Sequence, residues 1–278
     1  MLEAALIHPI ERETSVEAWM ASAEALLKSP DLSLFNLVVG VRHPVALSNS
    51  AEKVCNVVDA FLRERGALPV ITVANTIFPG GFYRDGGAKA VYEEFPLSYE
   101  ITKSGWGTYA GRLFADKVKM KSGTFGRIER LVEKLRANAR GSVRMRASYE
   151  ADVLDTILEE EVSLYNPETD AGMGIGQPCL AHLSFKLHKG GVVSLTAVYR
   201  SQYYVSKALG NLIGLGQLLA FVAEESGLTP GFLVCHATMA ELDLKSKKWG
   251  REDVRNLLDE CKEIIEFGDR SETAQLLV

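Results

Sequence analysis

The sequence predicts a mixed-sheet α/β domain of the α+β type, and three observations carry that prediction. Short valine-rich apolar runs alternate with segments whose apolar residues recur at helical spacing, so strands and helices interleave. The alternation lacks the regular strand–helix period of a doubly wound nucleotide-binding fold. Two apolar runs, Leu180–Leu187 and Val192–Tyr199, flank Lys189-Gly190-Gly191, the signature of an antiparallel hairpin. At 278 residues, 47% of them hydrophobic, the chain can bury one substantial core or two small ones. No internal repeat, low-complexity stretch or long linker interrupts it, so one domain is expected over residues 1–278.

The elements follow in order. A first helix is predicted over 15–27, opened by a Ser/Thr cap and closed before Pro30. Residues 36–42 (NLVVGVR) read as a buried strand, being short, apolar and rich in valine. Residues 51–65 place Val54, Val57, Val58, Phe61 and Leu62 at helical spacing and stop at Gly66. A further short strand is expected over 69–74. Residues 75–87 (NTIFPGGFYRDGG) hold many turn formers and are expected to form a long loop, a length at which loops are often functional. Residues 125–137 read as a helix with basic residues outward. Residues 142–149 (SVRMRASY) alternate as a strand does, which puts Arg144 and Arg146 on one face. A glycine-rich loop over 165–176 leads into Pro178-Cys179. After the hairpin come an apolar helix over 211–225 ended by Gly227, a strand over 231–236 and an amphipathic helix over 252–267.

Composition narrows the partners. A net charge of −5 gives no global attraction to nucleic acid or to anionic membrane, so a phosphate must be met locally. No uninterrupted apolar run approaches the roughly 20 residues a membrane span needs, and the N-terminus lacks the layout of a signal peptide. Cys55, Cys179, Cys235 and Cys261 have no metal-type spacing. They read as reduced thiols of a cytoplasmic protein, with no metal centre expected.

The chemistry-bearing residues cluster around the hairpin. Gln177-Pro178-Cys179 precedes it, Tyr199-Arg200-Ser201 ends it, and Asn211 opens the next helix. A thiolate attacks carbon, a guanidinium holds an anion, and an amide reads a hydrogen-bonding edge because it offers both donor and acceptor. C5 of a pyrimidine is a poor nucleophile toward a one-carbon donor. Thiolate addition at C6 makes C5 enolate-like and splits one hard step into easier ones. Arg200 has two open readings: it favours the thiolate of Cys179, or it clamps a phosphate through its bidentate fork.

These motifs resemble thymidylate synthase and its pyrimidine nucleotide hydroxymethylase relatives. In that family a Pro-Cys precedes a hairpin, whose second strand ends in Gln-Arg-Ser. Eleven residues after the Arg comes an Asn that opens a long apolar helix. Pro178-Cys179, Tyr199-Arg200-Ser201 and Asn211 fall in that order, and Arg200 to Asn211 is also eleven residues. Upstream, 105–112 (GWGTYAGR) resembles the family's Gly-Pro-x-Tyr-Gly-x-Gln segment. The resemblance spans roughly 105–242, leaving 1–104 divergent.

The resemblance implies a mixed sheet packed with helices and an enzyme that transfers a methyl or hydroxymethyl group from 5,10-methylenetetrahydrofolate to C5 of a pyrimidine nucleotide. Cys179 is then the nucleophile and Tyr109 the group that helps remove the C5 proton. Arg200 and Ser201 hold the phosphate, and Asn211 reads the base; cytosine-selective relatives tend to carry Asp there, so Asn211 points to a uracil nucleotide such as dUMP. Arg144 and Arg146 stand near the arginines that a partner subunit contributes, which implies a homodimer with shared active sites. Tyr203 and the C-terminal Val278 are the folate-side candidates.

The departures are specific. Tyr203 stands where the family has an Asp that binds the pterin, and Lys207-Ala208-Leu209-Gly210 replaces Gly-Leu-Pro-Phe before Asn211. Ala240 and Leu242 stand where a His and a Tyr bind the sugar 3′-hydroxyl. Only 36 residues follow Leu242, a shortened tail. Asp59, Glu93 and Glu94 are candidates for the family's water-organising Glu. His236 reads as a hydrogen-bonded core residue. The glycines of 172–176 precede a strand rather than opening a helix, so a dinucleotide loop is not expected there. The alternative is therefore a nucleotide-binding protein on this scaffold that has lost folate-dependent catalysis.

Overall fold

A computed structural model describes residues 6–103, 107–120, 123–140, 150–152, 178–244 and 248–275. The architecture is mixed α/β. One seven-stranded mixed sheet runs β1 (His8–Arg12), β2 (Ser33–Val41), β9 (Thr229–Glu241), β7 (Val192–Tyr199), β6 (Leu180–Leu187), β5 (Glu150–Asp152), with β8 (Gln202–Tyr203) beside β9. β9 is the axis of the sheet. Its 13 residues let it pair antiparallel with β2 on one edge and parallel with β7 and β8 on the other. A separate two-stranded ribbon joins β3 (Lys117–Met120) to β4 (Gly123–Gly126).

The predicted hairpin forms as expected. Its register sets Leu183 opposite Ala197, Phe185 opposite Leu195 and Leu187 opposite Val193 on the buried face. Leu37, Val39 and Val41 of β2 continue that face, as do Leu233, Cys235 and Ala237 of β9. This period-two pattern is what one buried sheet face requires. α1 (Ser15–Lys28) packs on β1 and β2, and α7 (Leu209–Ser226) packs on β9 and β7. Thr14 caps α1 in a capping box with Glu17, satisfying two backbone donors reciprocally. α2 (Asn49–Glu64) packs against α8 (Arg251–Gln275), and α6 (Arg127–Arg140) against α7.

Two expectations are corrected. Residues 69–74 form a helix, α3 (Val70–Asn75), rather than a strand. Their β-branched run favours a strand, but tertiary contacts override that weak preference. Asp59 Oδ1 accepts the Val70 N–H at 2.6 Å, and Pro69 fixes the entry. The segment 75–87 is not a long loop: α4 (Gly80–Lys89) occupies most of it, with a break at Gly87, whose φ is 63°. Aromatic packing draws the segment inward. Phe78 and Tyr83 both stack on Phe221 of α7, at 5.2 and 5.3 Å between ring centroids. The sequence reading also missed β1 and α5 (Phe95–Thr102).

α3 and α7 meet through two glycines. A Cβ at Gly210 would stand 2.7 Å from the Val70 carbonyl oxygen, and one at Gly214 2.7 Å from that of Ala74. Only glycine permits that approach, and it fixes where α7 begins relative to β7. With its preceding π-helical turn, α7 is long and apolar enough to cross a membrane by length and composition. However, 72% of its most apolar window is buried inside the protein, as befits the central helix covering a sheet.

Candidate active site

Cys179 lies immediately before β6, half-buried and packed against the core. Two elements grip its backbone. The Arg200 N–H, at the end of β7, donates to the Cys179 carbonyl at 2.8 Å, continuing the hairpin ladder by one rung. From the other side the Tyr109 hydroxyl accepts the N–H of Cys179 at 2.9 Å and that of Leu180 at 3.2 Å. Tyr109 is itself anchored, because the next residue, Ala110, donates its N–H to the Thr76 carbonyl at 2.8 Å.

Two opposed influences act on the thiol. Burial pushes the Cys179 thiol above its ordinary range, and the nearby Arg200 guanidinium only partly offsets this. Arg200 thus favours the thiolate, as expected of an adjacent arginine, but desolvation prevails in the net shift. Arg200 Nη2 donates to the Pro178 carbonyl at 2.7 Å, so part of the guanidinium serves the backbone beside the cysteine. Thr238 Oγ1 donates to the Arg200 carbonyl at 2.7 Å and fixes that residue from β9.

Tyr109 is also shifted upward, to about 12. Burial is the largest cause, opposed by the two backbone donors that would favour a phenolate. Near neutral pH Tyr109 therefore carries its proton.

The other predicted residues fall into three groups. Ser201 is half-buried in the link between β7 and β8, next to Arg200. Asn211 lies in the first turn of α7, 6% exposed, and no hydrogen bond among the described residues joins it to Cys179 or Arg200. Tyr203 on β8 is exposed. Arg144, Arg146, Gln177 and Val278, and with them the loop over 165–176 and the strand over 142–149, lie outside the described residues.

Other candidates acquire structural roles. Asp59 caps α3 and pairs with Arg63 at 3.2 Å, so it is committed away from a catalytic water. Glu93 and Glu94 lie exposed on a π-helical turn, Ala90–Glu94. His236 Nε2 is 3.2 Å from Asn36 Oδ1, a partly buried pair. Ala240 and Leu242 are both core residues, which leaves no polar group at the places the resemblance gives to the sugar readers. Among the described residues no group of His, Cys, Asp and Glu is arranged to hold a metal ion. A surface pocket of about 450 Å³, lined by Arg136 and 224–227, lies at the end of α7 opposite Asn211 and is separate from this chemistry.

Sequence reasoning missed Tyr199 and Gln202. Both are buried, at 1% and 3% exposure, yet among the described residues the Tyr199 hydroxyl and Gln202 Nε2 have no hydrogen-bond partner. Alternation along β7 marks Tyr199 as inward-facing; nothing in the sequence marks its hydroxyl as unpaired. No family model matches the chain, and no curated protein matches it.

Proposed function

We propose that the protein is a thymidylate-synthase-like, single-domain transferase of the cytoplasm, acting on C5 of a pyrimidine nucleotide monophosphate. The observation that carries the reading is the Tyr109 hydroxyl on the backbone of Cys179, a contact between residues 70 apart that the resemblance pairs in one site. Cys179 sulfur adds to C6 and the C5=C6 π electrons move toward the ring carbonyl. Methylenetetrahydrofolate, when bound, would supply the one-carbon unit to C5, its nitrogen leaving as the C–N bond breaks, and a hydride from the folate or a water would complete the methyl or hydroxymethyl group. Tyr109, which carries its proton, would assist loss of the C5 proton through a hydrogen-bonded relay, and re-formation of the C5=C6 double bond would expel the Cys179 sulfur. Arg200 and Ser201 hold the phosphate, and Asn211 selects uracil.

A homodimer with shared sites accompanies this reading. Its support is the sheet face opposite α1 and α7, where His182, Thr196, Val198, Val234 and His236 are only half-buried. Arg144 and Arg146 would complete the partner's phosphate site. The raised Cys179 thiol and the exposed Tyr203 favour a second reading, a nucleotide-binding protein that no longer uses folate.

Tritium release from C5-labelled dUMP, UMP, dCMP and CMP separates the two. Folate-dependent release from a uracil nucleotide, abolished by Cys179→Ala, is expected. Saturable nucleotide binding without release under any condition would establish the second reading instead.

A further inference from the structure

Tyr109 grips Cys179 from a short segment whose shape is set by one aromatic ring. That ring belongs to Tyr99 of α5, which is 8% exposed and packs against Phe95 at 5.8 Å between centroids. Gly107 and Gly111 both lie on it: a Cβ built on either would overlap the Tyr99 phenol. Gly107 has a φ of 83°, in the left-handed region that glycine enters freely. The backbone on each side of Tyr109 is thus laid on Tyr99.

Hydrogen bonds fix the same turn. The Thr108 N–H donates to the Tyr99 hydroxyl at 3.3 Å, and the Gly111 N–H donates to Thr108 Oγ1 at 3.1 Å. The Arg112 N–H closes a helical turn on the Thr108 carbonyl at 3.1 Å, and a π-helical turn, Gly111–Ala115, follows. The Tyr109 hydroxyl must arrive within hydrogen-bond distance of two adjacent N–H groups, those of Cys179 and Leu180. A misplacement of about 1 Å in a catalytic constellation can cost roughly a hundredfold in rate. Phenylalanine at 99 would keep the ring against Phe95 and the two glycines, but it could not accept the Thr108 N–H.

We propose that Tyr99 is a positioning residue of this site, acting through Tyr109 rather than on a ligand. Its hydroxyl pins the entrance to the turn, its ring shapes the turn, and the turn sets the Tyr109 hydroxyl on the Cys179 backbone. That contact in turn steadies the sulfur, because the Cys179 N–H and carbonyl are then held from two sides. This role rests on the proposed part of Tyr109 at Cys179, but not on the identity of the nucleotide.

The test is backbone amide hydrogen exchange, read residue by residue by NMR, in wild type, Tyr99→Phe, Tyr109→Phe and the double variant. Tyr99→Phe should speed exchange at Cys179 and Leu180 by about fivefold, the worth of one net hydrogen bond. Leu183 and Ala197, paired in the same hairpin, should keep their wild-type rates. Tyr109→Phe should speed the same two amides at least as much, and the double variant no more than Tyr109→Phe alone. In the tritium assay Tyr99→Phe should lower turnover roughly tenfold at an unchanged nucleotide KM. Unchanged exchange at Cys179 and Leu180 overturns the proposal. So does equal acceleration throughout the hairpin, an additive effect in the double variant, or failure of Tyr99→Phe to fold. In an active protein, tritium release that changes only in KM, or not at all, also overturns it. The exchange measurement uses no nucleotide. Wild type that releases no tritium, with the predicted exchange pattern, would therefore remove the substrate assignment and leave Tyr99's role standing.

Discussion

Cys179 is under two opposed influences, and their balance sets what the site must do. Burial disfavours its thiolate more than Arg200 favours it. An arginine used only to activate the sulfur would be poorly placed, since one of its nitrogens holds the Pro178 carbonyl. The backbone contact holds one end of the guanidinium, and an anion clamp would use its bidentate fork. Lysine keeps the charge and loses the fork. Arg200→Lys should therefore weaken a nucleoside monophosphate at least tenfold, about 1.4 kcal/mol, while a nucleoside loses under about threefold, measured side by side by calorimetry. Equal losses for both ligands would remove Arg200 from the phosphate.

At the scale of elements, the site depends on where α7 starts. Gly210 and Gly214 let α3 lie against α7 at backbone distance, which sets the first turn and with it Asn211. A methyl group at 214 would press on the Ala74 carbonyl and the Ile77 side chain, and overpacking of this kind typically costs about 1–3 kcal/mol. Gly214→Ala should lower the urea midpoint accordingly; an unchanged midpoint would mean that the two helices separate without cost. The same contact explains a misreading. Val70-Ile71-Thr72-Val73 is a strand by composition and a helix in the fold, because its partner is a glycine seam 140 residues away whose shape no local window reports. The 180–199 hairpin was legible for the opposite reason. Its alternation, its glycine turn and its pairing all lie within 20 residues.

Across the whole molecule, the mixed α/β class was legible because burial patterning is local, whereas the candidate site is assembled from distant pieces. Tyr109 reaches Cys179 across 70 residues, and only the resemblance, not spacing, suggested that pair. The net direction of the thiol shift was not legible, because burial is a property of the packed chain rather than of Arg200's place in sequence. Neither was Asp59's commitment to α3, which depends on a hydrogen bond across a turn. The central claim is that the sulfur of Cys179 bonds covalently to a pyrimidine ring. The measurement that meets it most directly uses 5-fluoro-2′-deoxyuridine monophosphate with methylenetetrahydrofolate, followed by peptide mass mapping. Fluorine cannot leave C5 as a cation, so the ring should stay on the sulfur. The Cys179 peptide is then predicted to gain the mass of nucleotide plus folate, with no such gain anywhere in Cys179→Ala. An unmodified Cys179 peptide from protein saturated with both ligands would contradict the account.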